Sequence, residues 1–179
     1  MISVKMNDDA AALLGVLDGP GGAHPPGGLS ADLRERLAEG IAWRGDVLTW
    51  ASCPGMPDGA SRCQTLTYWE SSASSFHLEP YVLDEATMEE LVAADGPPVI
   101  REDDQRLILQ HGIAFALEFS RLVHALDPPC AVRCIVAVNE TNGTFRFHRI
   151  RPDERWNTAD LDTYELDKLV EIDIEPAAR

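Results

Sequence analysis

Between Glu102 and Leu126 the apolar residues recur at helical spacing. At 3.6 residues per turn, Ile108, Leu109, Ile113, Phe115, Ala116, Phe119, Leu122, Val123 and Leu126 cover more than half of the circumference. A narrow stripe through Gln110, His111, Glu118 and Arg121 is left polar. So wide an apolar arc predicts a helix covered on most sides, the central helix of the fold. Glu102, Asp103 and Asp104 suit its positive end, and Asp127-Pro128-Pro129 stops it.

A period of two replaces the helical one from Ala131 to Ile150. Val132, Cys134, Val136 and Val138 alternate onto one face and meet Phe145 and Phe147 across a turn expected at Asn142-Gly143, while Arg133, Asn139, Arg146 and His148 take the other face. A hairpin with one apolar and one polar face belongs in an antiparallel sheet packed on helices. Leu169 to Ile174 adds a last strand.

Shorter patterns precede these. Asp8 to Leu17 has helical spacing with Asn7 as its cap, and the Gly/Pro-rich Asp18 to Gly28 stops it. Ser30 caps a helix reaching about Ile41, and Asp46 to Ser52 reads as a strand followed by turn chemistry over 53–61. Arg62 to Glu70 and Phe76 to Leu83 read as two strands of a hairpin, with Pro80 pushing the second to an edge. Asp84 caps a short helix containing Met88, Leu91 and Val92. The expected fold is α+β: an antiparallel sheet packed against a long central helix of about 102–126, with two or three shorter helices. Residues 1–17 are expected as a helical arm, 18–28 as a connector or loop, and 29–179 as a single α+β domain.

Composition adds an asymmetry. Of 179 residues, 45% are hydrophobic and 25% charged, the balance of an ordinary packed protein. Thirty acids against fifteen bases give a formal net charge of −15. A field of that sign repels nucleic acid and anionic lipid and attracts cationic partners, so direct nucleic-acid and membrane binding are not expected. No export signal is visible at the N-terminus, and Cys53, Cys63, Cys130 and Cys134 lack the paired spacing of zinc sites. A cytoplasmic protein without metal or cofactor is the expectation.

The charge is also segregated. Arg146, His148, Arg149, Arg151 and Arg155 form a basic island, whereas Asp160, Asp162, Glu165, Asp167, Glu171, Asp173 and Glu175 follow as an acidic tail opposed only by Lys168. Trp156 and Tyr164 stand among these charges. Two alternatives follow: the island pairs internally with the tail, or Arg146, His148, Arg149 and Arg151 make an anion site while Trp156, Asp160, Asp162, Tyr164, Glu165 and Asp167 dock a cationic partner.

Catalytic signals are sparse. No phosphate-binding glycine loop, nucleophile elbow or HExxH helix is present. His111 and Glu118, oriented by Arg121, are candidates for an acid/base pair, with His148 as a further candidate; as an ordinary helix face, the same residues make a surface ion pair. His77 and Glu79 share a strand face in this reading and offer two ligands at most. Three functions remain in view: an inhibitor of a basic protein, such as an immunity protein for a bacterial toxin; an enzyme with its site between central helix and sheet; and a homodimeric accessory module.

Overall fold

The computed structural model describes residues 1–15, 23–53, 63–93 and 95–176. Its first half contains β1 (Ile2–Met6), α1 (Asp8–Leu14), α2 (Ala31–Ala38), β2 (Ile41–Arg44), β3 (Val47–Trp50), α3 (Leu66–Ser74), β4 (Phe76–His77), α4 (Glu79–Val82) and α5 (Glu85–Ala93). The second contains α6 (Glu102–His124), β5 (Val132–Val138), β6 (Gly143–Arg149) and β7 (Lys168–Ile174). Five strands form an antiparallel sheet in the order β1-β7-β5-β6-β4, and β2 and β3 form a separate hairpin. The class expected from the sequence, α+β with a sheet on a long helix, is the observed one.

The arc of α6 explains its position. Ile108, Leu109, Phe115, Ala116, Phe119 and Val123 are fully buried against Val132, Cys134, Val136, Val138, Phe145 and Phe147 of the sheet. Trp50 brings the β2–β3 hairpin into the same core: its ring centroid lies 5.1 Å from that of Phe147 and 5.7 Å from that of Phe119. The helix comes close to the sheet at Gly112, where a Cβ would sit 2.4 Å from Val136 Cγ1. Gln110 and His111, expected on a polar stripe, are buried, so α6 is covered more completely than its sequence suggests.

Cross-strand register matches the two-period pattern, with Cys134 opposite Phe147 and Val136 opposite Phe145. The turn differs from the expected Asn142-Gly143. Val138 already pairs with Gly143, and the chain reverses over 139–142, where the Asn139 side chain accepts the N–H groups of Thr141 and Asn142. Gly143 begins β6 without positive φ. Its smallness serves packing, since a Cβ there would lie 2.5 Å from Ile108 Cγ2.

Residues 1–17, expected as a helical arm, begin instead with a strand and belong to the body. β1 pairs with β7, Val4 opposite Ile172, and Ala10, Leu13 and Leu14 of α1 enter the main core. Five residues at a sheet edge are too few to display a clear alternation. Asn7 caps α1 as expected, accepting the Ala10 N–H at 3.1 Å. The expected end of that helix and the start of the connector fall within residues 16–22, outside the described residues, as does most of the turn expected over 53–61.

The largest departure is at 62–83. In place of a hairpin, the chain forms α3, a two-residue β4 and α4, in which Pro80 occupies the first turn of the helix. Thr65 caps α3 by accepting the Tyr68 N–H at 3.1 Å. Thr67, Trp69, Glu70, Ser71 and Ser74 are buried, so tertiary contacts override the β propensity of the threonines and aromatics. α3 then does for β6 what a longer neighbouring strand would have done. Ser74 Oγ donates to the Phe147 carbonyl and accepts its N–H, and Glu70 accepts the Arg149 N–H at 2.8 Å. The edge of β6 is thereby closed by side chains of a helix.

Candidate functional site

The end of the basic island and the start of the acidic tail, 150–167, fold across the sheet face opposite α6. Leu161 joins Ile135 and Leu169 in a small second core, with Ala137, Trp156 and Tyr164 packed against it. The island is not an open cluster of guanidinium groups, as an anion site would require. Arg151 is engaged by Glu70 at 2.7 and 2.9 Å and also donates to the Asp46 carbonyl. The Arg146 guanidinium lies 4.8 Å from the Trp156 ring, and burial pushes its pKa down. Arg149 lies 5.7 Å from the Trp43 ring. His148 is buried, with Nδ1 2.9 Å from the Arg149 carbonyl and no hydrogen-bond partner at Nε2.

Internal pairing therefore occurs, but the island's partner is a helix residue rather than the acidic tail. The tail's own Glu171 and Asp173 pair with Arg133 of β5, at 3.1 and 2.6 Å. Next to Arg151, Glu154 accepts the Thr67 N–H at 2.8 Å and the Trp156 ring lies 5.1 Å from that of Tyr68. Three residues of one loop thus fix three residues of α3, and no pattern within 146–156 signals a helix that distant in sequence.

The residues expected to dock a partner divide into two groups. Trp156 and Tyr164 are half-buried parts of the second core, and Asp167 accepts the Asn139 amide at 2.7 Å. Asp160, Asp162 and Glu165 are exposed, and Leu166 beside them is 84% exposed. Asp162 still accepts the Asp8 N–H at 2.7 Å, so one of its oxygens holds the loop to α1.

The catalytic candidates do not converge. His111 is buried in α6 without a hydrogen bond at Nδ1, and burial lowers its pKa. Glu118 lies about two turns further along and pairs with exposed Arg121 at 2.6 Å. His148 projects from the opposite face of the sheet, beside Arg133. Cys134 is fully buried, which pushes its thiol pKa well up, the opposite of an activated nucleophile.

A different pair does share a cavity. His77 and Glu79 line a groove of about 460 Å³ together with Met88, Leu91 and Val92 of α5 and with Pro98 and Ile100. Glu79 heads α4, not a strand, and its side chain turns inward: Oε1 accepts the Gly143 N–H at 2.7 Å, and the residue is 7% exposed. Oε2 has no hydrogen-bond donor; His77 Nδ1 stands 3.6 Å away. The sequence brought the two residues together and placed His77 on a strand, as it is in β4, but it put Glu79 on the wrong element, because the β5–β6 turn that buries Glu79 is remote in sequence. Among the described residues no group of three or more His, Cys, Asp or Glu is placed to hold a metal ion.

A family model described as the uncharacterized protein PM0498 family matches residues 100–177, which is less than half of the chain and corresponds to α6 and β5 to β7. No curated protein and no solved structure matches the chain. The groove's Glu79 and the α3 contact at Glu70 both lie outside the matched segment. Among the described residues no helix is long and apolar enough to cross a membrane.

Proposed function

We propose that this protein is an acidic binding module that neutralises or regulates a basic protein partner, in the manner of an immunity protein or antitoxin. The observation that carries this reading is how unevenly the charges are used. Arg133 and Arg151 are taken up by Glu171, Asp173 and Glu70, and Arg146 lies against Trp156. Asp160, Asp162 and Glu165 stay exposed on the loop that crosses the sheet. The field outside is that of the acids, and such a field raises the association rate of a cationic partner. A reducing compartment, the cytoplasm, fits the four free thiols.

The test is capture from the native host at low and high salt, with wild type and a D160N/D162N/E165Q variant. A basic protein retained below about 0.2 M salt and released above it is expected, because exposed charges are screened over about 8 to 10 Å near physiological salt. Its association with the variant should be slower. Retention of no basic protein, or equal association rates, would sink the proposal.

A homo-oligomeric accessory module is the second reading. β1 favours it, as an edge strand with Ile2 39% and Val4 48% exposed, an available template for strand pairing. Sedimentation that gives a monomer mass at every concentration would remove it.

A further inference from the structure

We infer that the groove beside α5 is an anchor pocket for one lysine or arginine side chain of the partner, with Glu79 as its counter-ion. The inference rests on the basic-partner reading and gives that partner a point of attachment away from Asp160, Asp162 and Glu165.

Three observations point to this chemistry. First, Glu79 is only half satisfied. Oε1 is held by the Gly143 N–H at 2.7 Å, while Oε2 is out of reach of solvent and accepts nothing. A buried carboxylate oxygen in that state calls for a donor, and a cationic donor answers both its hydrogen-bonding and its charge. Thr141, also at the groove, does not supply one, since its hydroxyl donates to Asn139 Oδ1 at 2.8 Å.

Second, His77, Glu79 and Thr141 are the polar side chains of the lining. The remaining wall is Met88, Leu91, Val92, Pro98 and Ile100. A largely apolar groove with a carboxylate in its lining suits a methylene stem with a charged tip, which is how long basic side chains bury themselves. A bare metal ion would not use such a wall.

Third, the exposed charged side chains of α5, which walls the groove, have one sign. Glu85, Glu89 and Glu90 of α5 and Asp95 after it are exposed. The nearby Arg101 is paired with Asp104 at 3.0 Å. His77 is the group that must move: its Nδ1 stands 3.6 Å from Oε2, but the side chain is 65% exposed and can turn outward as the cation enters.

The experiment measures two labelled short peptides by fluorescence anisotropy, one with a central lysine flanked by leucines and the other with norleucine at that position. Norleucine keeps the stem and removes the ammonium. Wild type should bind the lysine peptide about tenfold more tightly, the scale expected for a desolvated charge pair. In E79Q, which retains an Oε1 for Gly143, the two peptides should bind alike. V92K, at a position 81% exposed and therefore harmless to folding, should weaken the lysine peptide by placing a cation on the wall. Equal binding of both peptides by wild type, a lysine preference that survives E79Q, or an unchanged V92K would each overturn the inference. Salt-sensitive capture of a basic protein without any lysine preference sinks the pocket alone. A lysine preference without such capture sinks the partner reading alone.

Discussion

Arg151 donates to both carboxylate oxygens of Glu70, at 2.7 and 2.9 Å, and Glu70 has no exposed surface. The same carboxylate accepts the N–H groups of Leu48 and Arg149, so one side chain of α3 binds the β2–β3 hairpin, the end of β6 and the loop after it. Removing Arg151 would leave a buried charge held by amides alone. R151M should therefore cost about 3–5 kcal/mol, and an E70Q/R151M double variant should recover part of that loss. Urea unfolding followed by tryptophan fluorescence measures both; additive losses would show that the two residues are not coupled.

Gly112 allows a second test with an unusual sign. In an exposed helix interior, Gly to Ala stabilises by roughly 1 kcal/mol. Here the added methyl meets Val136 Cγ1 at 2.4 Å and Leu78 Cδ1 at 3.1 Å, so the helix must lift from the sheet. G112A is expected to lose about 1–3 kcal/mol, seen as a lower thermal midpoint.

Stability should depend on pH through His148 and His111. Burial holds both below the ordinary value of 6.5. The unfolded chain takes up protons near 6.5 while the folded chain resists until lower pH, so stability is complete above 6.5 and falls as pH drops through that value toward the folded ones. Each histidine contributes a slope of up to about 1.4 kcal/mol per pH unit. Denaturant midpoints measured between about pH 7 and 5 should decline, and H148Q should flatten the decline. An identical pH profile for H148Q would show that the histidine is not the group responsible.

The crossing loop should separate folding from binding. Asp160, Asp162 and Glu165 are exposed, and D160N/D162N/E165Q retains the oxygen through which residue 162 accepts the Asp8 N–H, so its stability should stay within about 0.5 kcal/mol of wild type. Trp156 packs on the second core, on Tyr68 and under Arg146. W156A should lose about 2 kcal/mol. Thermal unfolding of the two variants side by side checks this, and a destabilised triple variant would mean that these acids hold the loop in place.

Periodicity was enough to locate α6, the β5–β6 hairpin and β7, because each has a face set by residues close in sequence: Phe115 and Phe119 on the helix, Val136 and Phe145 across the turn. Local chemistry also found the caps at Asn7 and Ser30. Segments whose form depends on distant partners were not legible in this way. Arg62 to Glu70 has strand propensity, yet Leu66–Ser74 is helical because Glu70 and Ser74 meet the β6 backbone and Trp50 donates to the Ser74 carbonyl.

The same division applies to function. The net charge, the acidic run after Trp156 and the lack of familiar catalytic motifs are legible in the chain alone, since these are properties of composition and spacing. Which charges remain available is set by the packing, because pairing depends on which elements come together. Arg151 is lost to a helix some eighty residues earlier in the chain, and Glu79 is turned inward by the amide of Gly143. That is why the basic island reads as a site in one dimension and is a joint in three, while His77 and Glu79, ordinary in sequence, line one groove.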